Sequence, residues 1–181
     1  MIRVVFTGSE STGKTTIATA VARHYGVEVV PEFVRTFAEQ KGTPIEFSDH
    51  GLIARGQMAL EDEYMARSHR AGPAHPAPLM IQDTDLLSTV VYCRHYFGRC
   101  PAWIEEAVRA RQPDLYLLCG TDVPWIADGV RDRGHLRETM QRLFEEAVAA
   151  SGARQVNLLG DHQTRLGQAI TLIDSLVAST R

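Results

Sequence analysis

The residues best suited to chemistry form one segment near the start of the chain, residues 8–15, with the sequence GSESTGKT. This segment satisfies G-x-x-x-x-G-K-[S/T], a pattern in which backbone N–H groups of a glycine-rich turn cradle phosphate oxygens. The pattern assigns Lys14 to the β- and γ-phosphates of a nucleotide and the Thr15 hydroxyl to Mg²⁺. The sequence therefore predicts a binding loop for ATP and Mg²⁺, made of Gly8, Ser9, Glu10, Ser11, Thr12, Gly13, Lys14, Thr15 and Thr16.

Composition adds weight to the lysine of this loop. The chain contains seventeen arginines but only two lysines, Lys14 and Lys41. A compact ammonium fits between phosphate groups where a broad, planar guanidinium does not. The lysine at position 14 therefore supports phosphate binding by this loop.

Two carboxylates follow a short apolar run in the sequence Asp83-Thr84-Asp85. We predict that Asp83 holds the Mg²⁺ shell opposite Thr15. Asp85 is predicted to orient or deprotonate the hydroxyl of a phosphate acceptor. The alternative for Asp85 is capping of the helix that begins at Leu86, since aspartate is a preferred N-cap residue.

A second pair of charged residues, Glu32 and Arg35, follows another short apolar run. This position predicts a role for both side chains in binding the acceptor, and Glu32 is also a candidate catalytic group. The alternative is an exposed i,i+3 ion pair, which stabilises a helix by only ~0.3 kcal/mol.

A segment rich in arginine and flanked by glycine, residues 125–134, is predicted to close over the site as a lid. Closure would bring Arg131 and Arg133 onto the phosphoryl group and exclude water, which makes Arg131 a predicted catalytic residue. We assign Trp125, at the start of the segment, to the acceptor side. A plain arginine-rich surface loop is the alternative.

Alternating strands and helices are predicted to position these groups. Five short apolar runs read as buried strands, at residues 2–7, 27–30, 79–82, 115–119 and 155–159. Helices are predicted at 14–25, 33–40, 48–70 (with Ser48 as N-cap), 86–97 and 101–111, followed by two more centred on Met140 and Ile170. The pattern indicates an α/β fold with a five-stranded parallel sheet and helices on both faces. Ligands bind such sheets at the carboxyl ends of the strands, where the three most suggestive segments fall, after the first, third and fourth strands.

Gross composition narrows the class of protein. With 181 residues we expect a single domain, 1–181, with the lid at about 122–134, and we read the proline-rich residues 71–78 as a surface loop. A net charge of −3 gives no strong attraction to nucleic acid or anionic membranes. No apolar run is long enough for a membrane span, and the N-terminus does not resemble a signal peptide, so we expect a cytoplasmic protein. The guanine-reading tetrad N-K-x-D is absent, and AAA-type ATPases are usually larger, which favours a small kinase.

Four segments together resemble the ribosylnicotinamide kinase domain of bacterial NAD-salvage proteins, within the P-loop kinase superfamily. They are GSESTGKT, PEFVR, DTD and WIADGVR, and the likeness runs over roughly residues 2–175. The resemblance implies a three-layer P-loop kinase fold that phosphorylates nicotinamide riboside with ATP and Mg²⁺. It implies that residues 8–15 bind phosphate, Asp83 lies on the metal side, Arg131 is the lid arginine, and Glu32 and Asp85 lie near the acceptor.

The sequence departs from the pattern of this family on the acceptor side. Relatives place an aromatic residue where this chain has Pro31, and that ring can sandwich the nicotinamide. Tyr64 is the nearest match to a second aromatic on the long helix, and Phe33 can compensate for the missing ring. The H-x-G-H signature of an attached adenylyltransferase is absent, so we expect one activity.

Three functions stay open from the sequence: a nicotinamide riboside kinase, a kinase of another nucleoside or nucleotide, and a non-catalytic ATP-binding regulatory module. The expected partner is a small nucleoside, with no nucleic acid and no membrane insertion. The sequence leaves a homo-oligomer open.

Overall fold

Strands and helices alternate along the chain, as the apolar pattern predicts. The computed structural model describes residues 1–70, 79–124 and 136–179, so the proline-rich segment 71–78 lies outside them. The strands are β1 (Ile2–Thr7), β2 (Val29–Val30), β3 (Leu79–Asp83), β4 (Leu115–Cys119) and β5 (Gln155–Leu158). The helices are α1 (Lys14–Tyr25), α2 (Phe33–Lys41), α3 (His50–Arg70), α4 (Leu86–Phe97), α5 (Ala102–Ala110), α6 (Arg137–Ser151) and α7 (His162–Ser179).

The five strands form one sheet in the order β2-β3-β1-β4-β5. Every pairing is parallel, with β1 between β3 and β4. The predicted five-stranded parallel sheet is therefore confirmed. Because parallel strands end at the same edge, the residues that follow β1, β2 and β3 are brought together there.

Helices cover both faces of the sheet, because the central strands are buried on each side. On one face, Val4, Phe6 and Ile81 pack against α1 and α7. On the other face, Val5, Tyr116 and Leu118 pack against residues from α4 and α6. This three-layer arrangement fixes the turn after β1 between two packed helical layers.

Some element boundaries differ from the sequence-based expectation. Strand β2 has only two residues, because Val27 instead completes the end of α1: its N–H bonds the Ala22 carbonyl while Gly26 adopts a left-handed backbone. Ser48 does not cap the long helix. It lies in a short 3₁₀ turn, Phe47–Asp49, that precedes α3 and is capped by Glu46.

A buried ionic cluster joins α3 to the sheet and to the end of α5. Glu61, fully buried on α3, accepts hydrogen bonds from Arg3 at 3.0 Å and from Arg111 at 3.2 Å. Arg111 also binds Asp62 through two nitrogens, at 2.8 and 2.9 Å. Burial raises the pKa of the Glu61 carboxyl to about 6 in spite of the two arginines.

Replacing Glu61 with glutamine is expected to remove a pH dependence from the free energy of unfolding. Because the pKa of Glu61 is higher in the folded than in the unfolded chain, its contribution to stability falls as pH rises from about 4.5 to about 6. The free energy of unfolding of wild type, minus that of Glu61→Gln, should drop by about 2 kcal/mol across this window. Urea unfolding at several pH values measures the difference, and a difference that rises with pH would show that the arginines outweigh burial.

Candidate active site

The turn between β1 and α1 has the backbone of a phosphate-binding loop. Gly8 and Gly13 adopt φ values of 128° and 81°, and Ser11 lies in the left-handed region at 53°. A Cβ atom on Gly8 would come within 2.7 Å of the Cys119 carbonyl oxygen, so only glycine lets the turn approach β4 this closely. Alternating backbone conformations of this kind point successive N–H groups into a concave surface suited to anions.

Hydrogen bonds within the phosphate loop, and one to α6, stabilise its conformation. The Lys14 ammonium donates to the Ser9 carbonyl at 2.6 Å, and the Thr12 hydroxyl donates to the same oxygen at 2.9 Å. The Ser9 N–H donates to the side-chain oxygen of Gln141, a buried residue of α6, at 2.9 Å. The lysine is thus positioned across the loop, and Gln141 is a supporting residue that the sequence pattern did not identify.

The predicted metal ligands Thr15 and Asp83 lie in direct contact. The Thr15 hydroxyl donates to Asp83 Oδ2 at 2.6 Å, while Asp83 Oδ1 is buried with no hydrogen-bond partner among the described residues. Burial raises the pKa of Asp83, and the Thr15 hydrogen bond and the charges of Lys14 and Arg35 oppose that effect. A buried carboxylate with a free oxygen beside a hydroxyl fits the oxygen-donor preference of Mg²⁺.

The residue after Asp83 has a strained backbone. Thr84 is β-branched and buried, yet its φ is 67°, and its N–H donates to the Phe6 carbonyl at 2.9 Å. A left-handed backbone at a β-branched residue costs on the order of 1–3 kcal/mol and is found mostly where function fixes the geometry. The strain ends β3 sharply and separates the directions of Asp83 and Asp85.

Asp85 faces the protein core instead of the site. Its Oδ1 caps α4 by accepting the Leu87 N–H at 3.0 Å, and its Oδ2 accepts the Tyr116 hydroxyl at 2.7 Å. Both contacts are buried, and burial raises the pKa of Asp85. The helix-capping alternative is therefore the arrangement that the structure adopts, and this geometry gives no support to a role for Asp85 with the acceptor.

Glu32 and Arg35 lie at the same edge as Asp83. The Arg35 guanidinium donates to Glu32 at 3.4 Å, so the i,i+3 ion pair weighed as an alternative is present. The Glu32 side chain is only 10% exposed against 46% for Arg35. The negative charge of Glu32 raises the pKa of Asp83. The two carboxylates are therefore near each other, on one rim of the sheet.

Phe33, the first residue of α2, contacts two residues of α3. Its backbone N–H donates to the Gln57 side chain at 2.9 Å, and its ring lies so close to Gly56 that a Cβ atom there would overlap it. Neither contact follows from the predicted helix, although a glycine inside a helical pattern is a signal of close packing. Both contacts join the start of α2, next to Glu32, to α3.

The structure places Tyr64 away from the predicted acceptor side. Its ring stacks with Arg67, whose guanidinium carbon lies 4.3 Å from the ring centre. It lines a cavity of about 430 Å³ with the last turns of α1 and the residues before β2, at the opposite edge of the sheet. Tyr64 follows Gln57 by seven residues, roughly 10 Å along the helix, so this geometry gives no support to its assignment to the acceptor.

A buried arginine that the sequence analysis did not identify supports the phosphate loop from behind. Arg165, in the first turn of α7, is 1% exposed and donates to the carbonyls of Thr12, Gly120 and Gly160 at 2.7, 3.1 and 2.9 Å. It also pairs with Asp122. The signal for it was an arginine in line with the buried stripe Ala169, Ile173 and Val177 of the same helix.

The predicted lid residues Trp125, Arg131 and Arg133 lie outside the described residues, as does the whole segment 125–135. The helix that follows this segment begins with Arg137. Its guanidinium donates to the carbonyls of Ser11 and Val123, at 3.1 and 2.9 Å. The phosphate loop is thus linked to both ends of the segment predicted to form the lid.

The sheet order, the glycine-rich turn and the Thr15–Asp83 pair define a P-loop nucleotide-binding α/β protein. The chain matches the family model described as AAA domain over residues 3–165, and it belongs to this family. The expectation that its length separates it from AAA-type proteins is therefore corrected.

Two relatives are the trifunctional NAD biosynthesis/regulator proteins NadR of Escherichia coli (strain K12) and Salmonella typhimurium (strain LT2). They are 25% and 24% identical to this chain over 98% and 96% of its length. The chain is homologous to NadR, and the resemblance to NAD-salvage proteins is confirmed. It spans only 43% and 42% of the length of these relatives.

Solved structures agree on the fold. A NadR protein in complex with NR superposes with a TM-score of 0.74 at 23% identity, over 98% of this chain and 52% of the other. NadR in complex with NAD and AMP-PNP gives 0.78 at 22% identity, over 98% and 49%. Thymidylate kinase from Ehrlichia chaffeensis gives 0.62 at 16% identity, over 95% and 98%. The likeness shows a P-loop kinase-type α/β fold. None of the described helices has the length and apolar character to span a membrane.

Proposed function

We propose that this chain is a kinase domain that transfers the γ-phosphoryl group of ATP to a hydroxyl of nicotinamide riboside. The homology to NadR supports the nucleoside, since a NadR protein has been solved with NR. The observation that carries the proposal is the contact between Thr15 and Asp83 beside Lys14, with Glu32 on the same rim.

Each of these residues has a distinct part in the proposed reaction. Lys14 stabilises negative charge on the β- and γ-phosphates, and the N–H groups of the loop bind their oxygens. Thr15 and Asp83 hold Mg²⁺, which when bound neutralises charge on the phosphate oxygens. Glu32 orients the acceptor hydroxyl and accepts its proton as the phosphoryl group leaves ADP. Arg131 and Arg133 are proposed to add positive charge from the lid.

An assay of ADP release over a panel of nucleosides tests this function. We expect nicotinamide riboside with Mg²⁺ to raise turnover above the ATPase background and to yield nicotinamide mononucleotide. If no nucleoside raises turnover although ATP binds, the chain is a nucleotide-binding regulatory module instead.

The same panel tests a second candidate, a kinase of another nucleoside or nucleotide. Two features favour it: Pro31 stands where the resemblance to ribosylnicotinamide kinases implies an aromatic residue, and Tyr64 lies at the opposite edge of the sheet. Three aromatic side chains were predicted to contact the acceptor: Phe33, Tyr64 and Trp125. Among the described residues, only Phe33 of these three lies at this rim. A turnover maximum with a different nucleoside would favour this candidate over nicotinamide riboside.

Replacing Gly56 with alanine is expected to weaken acceptor binding while leaving ATP binding unchanged. The added methyl overlaps the Phe33 ring, so the ring must move. We expect the KM for the acceptor to rise by about tenfold, which corresponds to ~1.4 kcal/mol, with the KM for ATP within twofold.

Gly167→Ala is the matched control for this variant, because Gly167 also lies inside a helix and a Cβ atom there meets nothing within 4 Å. That change should leave both KM values unaltered and stabilise the helix by up to ~1 kcal/mol. An unchanged acceptor KM in Gly56→Ala would show that Phe33 does not shape the acceptor site.

A further inference from the structure

The guanidinium of Arg165 uses all three of its nitrogens on three separate loops. Nη1 donates to Thr12 in the phosphate loop, Nη2 to Gly120 after β4, and Nε to Gly160 after β5. Asp122, whose other carboxylate oxygen accepts the Gly160 N–H, supplies the counter-charge. One buried side chain of α7 thus fixes the distance between the phosphate loop and the two loops beside it.

The contact with Thr12 determines the orientation of one peptide group. The Thr12 carbonyl and the Gly13 N–H belong to the same trans peptide, in which the two groups point in opposite directions. Because Arg165 holds the carbonyl on the α7 side at 2.7 Å, the Gly13 N–H is turned away from α7. A Cβ atom built on Gly13 meets no atom within 4 Å, so Gly13 borders open space.

A guanidinium on a peptide oxygen also strengthens the N–H group of that peptide. Hydrogen bonds in series polarise one another, and a charged donor in a buried setting increases the effect. Arg137 makes the equivalent contact with the Ser11 carbonyl, whose peptide carries the Thr12 N–H. Two consecutive N–H groups of the phosphate loop therefore belong to peptides whose oxygens are bound by arginine.

We infer that Arg165 is a positioning residue for the triphosphate: it turns and polarises the Thr12–Gly13 peptide toward the phosphates from the far side of the loop. The inference rests on the nucleotide binding in the proposed function and is independent of the acceptor. Lysine cannot replace arginine fully, because one ammonium cannot reproduce the fork that reaches Thr12, Gly120 and Gly160 together.

Titration calorimetry with two probes, ATP with Mg²⁺ and inorganic triphosphate with Mg²⁺, tests this role in Arg165→Gln and Arg165→Lys. We expect glutamine to weaken binding of both probes by the same factor, about tenfold to a hundredfold. Lysine should recover part of the loss, because it keeps the charge near Thr12. Thermal unfolding identifies the variants that remain folded, and Arg165→Lys carries the test if the glutamine variant does not fold.

Arg94→Gln serves as the matched control, since it removes an exposed arginine of α4 that pairs with Glu105. Its affinities should equal those of the wild type. Unchanged triphosphate affinity in a folded Arg165 variant would overturn the inference, as would a loss confined to ATP, which would place the effect on the base side. Failure of the wild type to bind ATP would instead refute the proposed function.

Discussion

Replacing Lys14 with alanine is expected to abolish phosphoryl transfer while leaving the fold intact. The Lys14 ammonium lies over the loop at 2.6 Å from the Ser9 carbonyl, where it can meet the phosphates of a bound nucleotide. Removing one preorganised donor from a transition state lowers kcat by about 10²–10³-fold or more. The side chain is partly exposed and outside the apolar core, so the melting temperature should change little.

Two further variants separate charge from geometry at this position. Lys14→Arg retains the positive charge but places a broad guanidinium in the loop, and we expect it to be nearly as inactive as alanine. Lys41→Ala removes the other lysine, which pairs with Asp49 away from the loop, and should retain wild-type kcat. Activity in Lys14→Ala above one tenth of wild type would contradict the assignment of this residue.

Replacing Asp83 with asparagine is expected to change the requirement for Mg²⁺ far more than the affinity for the nucleoside. The substitution removes the negative charge beside Thr15 but preserves the shape of the side chain. We expect the Mg²⁺ concentration for half-maximal activity to rise by at least about tenfold, or ~1.4 kcal/mol, with the acceptor KM within twofold. Titrating Mg²⁺ at saturating ATP measures this requirement.

The pH dependence of the same titration gives an independent check. Burial raises the pKa of Asp83, so protons compete with Mg²⁺ for this carboxylate more strongly as pH falls. The Mg²⁺ requirement of the wild type should therefore increase on acidification, and that increase should be smaller in Asp83→Asn. Asp174→Asn, which alters an exposed carboxylate bonded to Tyr25, is the control. Equal effects on Mg²⁺ and on the nucleoside would contradict a metal-side role.

The parts of the site that the sequence predicted are those encoded in short stretches. The phosphate loop is one continuous pattern between a strand and a helix, so its backbone follows from glycine positions and local order. The approach of Asp83 to Thr15 follows from the parallel pairing of β1 with β3, since both strands end at the same edge. The five strands could also be predicted, because each is a short run that is mainly apolar or β-branched and is followed by a helix-forming segment.

The parts that the sequence did not predict depend on contacts between distant segments. Whether Asp85 faces the rim or the core is decided by Tyr116, which lies on β4, and by the strained backbone of Thr84. Gln141 and Arg165 reach the phosphate loop from helices more than 120 residues further along the chain. No local pattern marks a polar side chain that turns inward to bind a carbonyl or an N–H of a remote loop.

The setting of the two lysine amines has a consequence for acylation of this protein. Lys41 is held by Asp49, whereas Lys14 lies across the phosphate loop. Acetyl or succinyl transfer to lysine therefore has two side-chain targets in the whole sequence, and at one of them it would replace the ammonium of the phosphate loop with a neutral amide. A nucleotide seated in the loop would shield that amine, which couples the susceptibility of the protein to acylation directly to its ligand occupancy.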